Sequence, residues 1–469
     1  MIGFIKNRLI IKGISAIVVF SFLGLTPTLS GCGGRGGSST AAQTENPAQN
    51  ALDAYIHNDD SSFQWEIESY ATDDNGTSCV VNMVSQTWQD IEWKHKMYII
   101  EPAKLTNPDH CALYITGGAI GDKPRESDMQ LAQHIARLSG MYVAVLWQVP
   151  NQPLFGGRNE DDLITDTFLK MLETKDYTWP LLFPMTKSAI RGMDAIQQLL
   201  RQHRNKNIRG FVVFGASKRG WTTWLTAASQ DRRVIAIAPM VINTLNMQPQ
   251  YIYQFANWGY YSEQIADYYS KNLLVEQVDP NATEEEKNLR DQLWQMVDPY
   301  FYRERVIIPK LLVHGTNDRY WNLDATKFYW DDLIGPKFIL NLPNVGHNLG
   351  AERTKALTTI AAYAKLMSDG GYLPTMTWKA AYNDDEYTLS VKSDIPAKAA
   401  KLWIAYNETR DFREAKWNAT DLQPLASGSG NYLATLKKPE SGHVGFYVEI
   451  ETEYEGIPCS LTTEIFNPE

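Results

Sequence analysis

Ser217, Asp318 and His347 are the residues of this chain whose types, order and settings suit acyl transfer. A serine hydroxyl is a weak nucleophile until a base takes its proton. A histidine can be that base near neutral pH, and a carboxylate fixes the imidazole's tautomer and stabilises its charged form. Ser217 lies in residues 210–221, where an apolar run ends in Gly215-Ala216-Ser217-Lys218-Arg219-Gly220 and a helical pattern begins. A strand, a sharp turn bearing the serine and then a helix form a nucleophile elbow, and small flanking residues suit a tight turn. Asp318 closes a buried-strand pattern at 311–318, and His347 follows the apolar run Phe338-Ile339-Leu340. Of eight histidines, His57, His95, His110, His134, His203 and His314 precede Asp318, and His443 sits in a β-patterned region, so elimination leads to His347. Asp324 competes with Asp318 but falls inside a helix predicted over 322–333.

These side chains need a rigid frame. From residue 111 onward, short apolar strands alternate with amphipathic helices, which predicts a mostly parallel sheet covered on both faces. The strands are expected at 111–116, 142–149, 210–214, 234–238, 307–313 and 337–342. The helices are expected at 126–139, 186–203, 218–229, 322–333 and 351–367. The order Ser, Asp, His, each on a loop after a strand, is that of the α/β-hydrolase fold. Residues 51–104 alternate as β-strands. After Gly370 and Gly371 alternation returns, and residues 375–469 predict a β-sandwich of immunoglobulin-like size. That stretch carries no catalytic constellation.

An acyl-transfer centre also needs donors for the oxyanion. The backbone N–H of Lys218, next after the serine, is one expected donor. The glycine-rich loop after the strand ending at Thr116 offers Gly118 or Ala119 as the other. Lys218 and Arg219 put positive charge at a helix start, against the helix dipole, and that local cost suggests contact with an acidic substrate group or the oxyanion. Insertions are expected at about 150–185 and 243–304. The second is rich in Tyr and Trp, Trp258 among them, and reads as a lid that would furnish substrate contacts.

Composition narrows the function classes. The 469 residues carry a formal charge of −10, with 44% hydrophobic and 21% charged residues, an ordinary globular balance that lacks the basic footprint of nucleic-acid binding. Lys6, Arg8 and Lys12 precede an apolar core at 14–25, shorter than a membrane span needs. Small residues before Cys32 resemble a lipobox, so residues 1–31 are expected to be a lipoprotein signal peptide and Cys32 a lipidation site. Residues 32–50 then read as a flexible tether. No aspartate follows Cys32, which by resemblance to lipoprotein sorting favours the outer membrane. Cys79, Cys111 and Cys459 remain; a bridge, if one forms, is expected between Cys79 and Cys111, with buried free thiols as the alternative. No motif indicates a metal, nucleotide or redox cofactor.

The segment Gly215-Ala216-Ser217-Lys218-Arg219-Gly220-Trp221-Thr222-Thr223-Trp224, with Gly315-Thr316-Asn317-Asp318, Asn344-Val345-Gly346-His347 and Trp147-Gln148-Val149-Pro150-Asn151-Gln152-Pro153, resembles the PhoPQ-activated pathogenicity-related protein family, which includes autocrine proliferation repressor-like proteins. The resemblance covers about residues 50–469. It implies an α/β-hydrolase-like fold, a triad at Ser217, Asp318 and His347, and an envelope or secreted location, but no particular substrate. The expectation is a lipid-anchored serine hydrolase, with residues 51–370 as the hydrolase domain, acting on a small-molecule or peptide substrate. Esterase is favoured over peptidase. A non-catalytic envelope binding protein of the same fold is the other alternative.

Overall fold

The computed structural model describes residues 47–468 apart from Thr244, Val275, Glu276, Leu373 and Pro396. Residues 1–46, with the expected signal peptide, Cys32 and most of the tether, lie outside the described residues. After α1 (Pro47–His57) come three antiparallel strands, β1 (Gln64–Asp73), β2 (Gly76–Trp88) and β3 (Ile91–Pro102), then β4 (Asn107–Ile115). The alternating part begins there: α2 (Glu126–Ser139), β5 (Met141–Leu146), α3 (Glu160–Thr174), α4 (Leu182–Arg204), β6 (Gly210–Ala216), α5 (Lys218–Ala228) and β7 (Val234–Met240). A helical stretch with α6 (Met247–Trp258), α7 (Ala266–Ser270) and α8 (Glu284–Val297) precedes β8 (Lys310–Gly315), β9 (Lys337–Leu342) and α9 (Arg353–Ser368).

The nine strands form one sheet in the order β1-β2-β3-β5-β4-β6-β7-β8-β9, parallel from β5 to β9. With β1 set aside, this is the strand order of an α/β-hydrolase, and the serine follows the central strand β6. Strand residues alternate between two cores. Leu113, Ala144, Leu146, Phe211 and Val213 face α4 and α5, where they meet Met193, Ile196, Trp221, Trp224 and Leu225. Tyr114, Val143, Val145, Val212 and Phe214 face α2 and α9, where they meet Leu131, Ile135, Ile360 and Ala361. Burial on both faces explains why β5 is apolar without a break, as the sequence Met-Tyr-Val-Ala-Val-Leu requires.

Beyond α9, β10 (Met376–Tyr382), β11 (Glu386–Ser393), β12 (Ala399–Asn407), β13 (Asn418–Asp421), β14 (Asn431–Lys437), β15 (His443–Tyr454) and β16 (Ile457–Thr462) form two antiparallel sheets, β10-β11-β14 and β13-β12-β15-β16. Leu389 and Val391 from one meet Leu402, Phe446 and Val448 from the other in a shared core, the sandwich expected from the alternation.

Three expectations need correction. Residues 322–333 are not a helix: the segment holds only a 3-10 turn, Ala325–Phe328. Asn322 and Asp324 favour turns over helix interiors, and tight turns bury Tyr329 and Trp330 in the core. The β-rich start is preceded by α1, which takes up residues 51–57 and the end of the expected tether. Cys79 and Cys111 are buried free thiols. They sit on β2 and β4, separated by β3 and β5, so about 14 Å of sheet divides them, well beyond disulfide reach.

Candidate active site

β6 turns into α5 through Ser217, whose backbone has φ 59° and ψ −128°. A serine pays conformational energy there, and the neighbours hold it in place. Its N–H donates to Met240 O on β7 at 2.9 Å, and its carbonyl accepts from Trp221 N–H at 3.0 Å. Gly220 is required by close approach: a Cβ there would stand 2.6 Å from Ile242 Cγ2 and 2.9 Å from Met240 O. The Gly-x-Ser-x-x-Gly spacing thus follows from how tightly the elbow lies on β7.

Asp318 and His347 follow the C-terminal ends of β8 and β9, beside the elbow. His347 Nε2 and Ser217 Oγ are 2.8 Å apart, and His347 Nδ1 and Asp318 Oδ2 are also 2.8 Å apart. Asp318 is 6% exposed, and its other oxygen accepts from Tyr320 N–H at 3.0 Å. The Tyr320 ring lies against the imidazole with centroids 4.3 Å apart. The two loops are joined: Asn317 N–H donates to Val345 O, and Asn344 N–H to Thr316 Oγ1, each at 3.0 Å. Asn317 Nδ2 reaches the carbonyls of Phe412, Arg413 and Ala415, the last at 2.7 Å, while Asn344 exchanges two side-chain bonds with the Trp417 backbone. Residues 412–417, between β12 and β13, therefore clamp both loops. Asp324 is not a rival: its carboxylate takes Tyr253 OH and Lys327 Nζ. His314 is buried on β8, and burial pushes its pKa down to about 4 against the pull of Asp318.

The cations beside the serine have other work than the sequence suggested. Arg219, expected to bind substrate, is 8% exposed and forks onto Glu160 with two 2.7 Å bonds, while its Nε donates to Val149 O. Its guanidinium covers Gly117, where a Cβ would stand 2.3 Å from Nη2, so that glycine makes room for Arg219. Lys218 Nζ lies 2.6 Å from Asp161 Oδ2 and donates to Tyr320 OH at 3.0 Å. Burial opposes charge at both Glu160 and Lys218, yet pairing prevails. Arg219 holds the Glu160 carboxyl down to about 2, and Asp161 raises the Lys218 ammonium above its ordinary value. Glu160 and Asp161 open α3, where carboxylates suit the helix dipole. Sequence reading missed both, because each partner lies more than fifty residues away.

Two further site candidates change role. Ala119 N–H donates to Asp122 Oδ2 at 2.7 Å and is committed there, which leaves Gly118 as the loop's candidate donor. Trp258 packs under the Arg413 guanidinium, 4.3 Å from its ring, with Nε1 donating to Arg410 O, and so lies against the connection between β12 and β13.

Two spaces flank Ser217 and His347. One is a void of about 20 Å³ bounded by Ser217, Lys218, Trp221, Ile242, Tyr251, Ile265, Tyr268 and Trp321. The other is a cleft of about 690 Å³ bounded by His347, Tyr320, Arg319, Asn344, Asn348, Arg413, Glu414 and Lys416. Tyr251 and Tyr268 are the insertion's aromatics that reach the void, and Trp221 both packs in the core and forms one of its walls.

Residues 52–413 match the family described as PhoPQ-activated pathogenicity-related protein. The chain belongs to that family. The chain is similar to autocrine proliferation repressor protein A of Dictyostelium discoideum, 30% identical over 437 residues with 86% of each chain covered. Among solved structures, it is similar to an acetyl xylan esterase from Paenibacillus sp. R4, with 13% identity, 67% of this chain and 93% of that one covered, and a TM-score of 0.48. It is also similar to an S-formylglutathione hydrolase from Agrobacterium tumefaciens, with 13% identity, 65% and 99% covered, and a TM-score of 0.43.

Proposed function

We propose that this PhoPQ-related protein is a serine hydrolase that cleaves an ester, or secondarily an amide, through an acyl-enzyme on Ser217. The observation that carries this reading is the unbroken run of two 2.8 Å hydrogen bonds from Ser217 through His347 to Asp318. In the reaction, His347 Nε2 takes the Ser217 proton as Oγ attacks the substrate carbonyl, and Asp318 stabilises the resulting imidazolium. Lys218 N–H and Gly118 N–H hold the oxyanion. His347 passes its proton to the departing group. Water, deprotonated by the same imidazole, then frees the acid. Arg219 and Glu160 act as positioning residues that brace the elbow.

A fluorophosphonate probe tests this directly. It should label the wild-type protein and fail to label Ser217→Ala, with kcat on an acyl ester falling roughly a million-fold. Absence of labelling on correctly folded wild type rejects the reading in favour of a binding protein. Residence in the bacterial envelope through lipidated Cys32, with the outer membrane favoured, belongs to the same proposal. Metabolic labelling with palmitate should vanish in Cys32→Ser, and persistence of the label rejects the anchor.

A further inference from the structure

The two spaces at the site differ more than thirtyfold in volume, and the chemistry assigns them to different halves of the substrate. His347 must hand a proton to the departing group, so that group lies on the imidazole's side, where the cleft of about 690 Å³ opens. The acyl group must then point the other way, into the void of about 20 Å³ beside Ser217 and Lys218. The room there is narrow, so it favours a short acyl chain over a long one. Its walls cannot yield cheaply. Trp221 is 3% exposed and anchored by Nε1 to Val297 O at 2.5 Å, Ile242 is 4% exposed, and Ile265 is 2% exposed. Forcing extra methylenes between well-packed side chains distorts rotamers and backbone. The polar end is closed as well. Asp161 accepts from Lys218, Tyr268 OH and Tyr320 OH, so the charges there satisfy one another and call for none on the acyl group. The cleft is the opposite: it is drug-sized and rimmed by Arg319, Asn348, Glu414 and Lys416.

Resting on the serine-hydrolase reading, we infer that the substrate is a short neutral acyl ester of a large polar alcohol. In the step, the acyl C–Oγ bond of Ser217 forms as the acyl C–O bond to the alcohol breaks. The Ser217 proton travels through His347 to the alcohol oxygen, and water later returns a carboxylic acid and free serine.

A chain-length series tests the inference: kcat/KM for p-nitrophenyl acetate, butyrate, hexanoate and octanoate, together with monoacetylated maltotriose against dodecyl acetate. The expected result is at least a tenfold fall from acetate to hexanoate and at least a tenfold preference for the maltotriose ester. Ile265→Ala should widen the void and narrow the acetate-to-hexanoate ratio. Hexanoate hydrolysed as well as acetate, or dodecyl acetate as good a substrate as the sugar ester, overturns the inference. Labelling of Ser217 by an ethyl fluorophosphonate separates the two levels. A labelled enzyme with a flat chain-length profile rejects only the substrate assignment, whereas folded protein that takes no label rejects the hydrolase reading and this inference with it.

Discussion

Ser217 takes its position from strands immediately around it. Its N–H is bonded to the neighbouring strand at Met240, and the two cations after it are fastened to Glu160 and Asp161 at the start of α3. Asp318 and His347 are supported differently. Their loops cross-bond to each other and are then clamped by residues 412–417, the connection between β12 and β13. Ser217 is thus braced from within the parallel sheet, and Asp318 and His347 are braced from outside it. The C-terminal sandwich forms one wall of the cleft and holds the loops that carry Asp318 and His347.

Removing residues 375–469 gives the largest expected effect. The deletion uncovers Asn341, whose side chain bonds Thr462 and Thr463, and strips the clamp from both loops. The truncated chain should lose all measurable ester hydrolysis and most of its soluble yield. Soluble protein with undiminished activity would show that the sandwich is only an appendage.

Next comes acid sensitivity on the acid–base side. His314 on β8 stays neutral when folded down to about pH 4, whereas the unfolded chain takes up that proton near 6.5. The unfolded state therefore binds more protons below 6.5, and stability should fall as pH drops from 6.5 towards 4, by up to about 3 kcal/mol from this group. His314→Phe should flatten that part of the profile in denaturant titrations. Identical slopes in the two proteins would exclude His314 as the source.

On the nucleophile's side, Glu160→Gln leaves Arg219 buried without its anionic partner. Glu160 is 39% exposed, so the expected cost is about 2 kcal/mol, below the range for a fully buried pair. A thermal unfolding midpoint unchanged within error contradicts the bracing role. The smallest effect belongs to Asn317→Ala, which frees three carbonyls of the clamp. About 1 kcal/mol of stability and roughly a tenfold fall in kcat with little change in KM are expected. A change confined to KM would point to a substrate contact.

The parallel core was readable because each buried strand is a short apolar run and each covering helix has one apolar face. Helix 126–139 matches α2 at both ends, and strand 337–342 matches β9. Segment 322–333 was misread because its spacing of apolar residues resembles a helix while its polar residues prefer turns. At the site, the serine, aspartate and histidine were legible from their order along the chain and their settings after strands. The roles of Arg219, Ala119 and Trp258 were not, since each depends on a partner that sequence distance conceals: Glu160, the Asp122 carboxylate turned back on its own loop, and Arg413.

The sequence by itself determined the layered sheet, the elbow and the order of Ser217, Asp318 and His347, because these follow from local periodicity, small residues at a tight turn and position after strands. Only the tertiary structure decided that Lys218 and Arg219 are neutralised by α3, that a loop of the C-terminal sandwich clamps the loops of Asp318 and His347, and how unequal the spaces beside Ser217 and beside His347 are. Those features arise where segments remote in the chain meet. Charge pairing and packing volume are properties of such meetings, and no single stretch of residues encodes them.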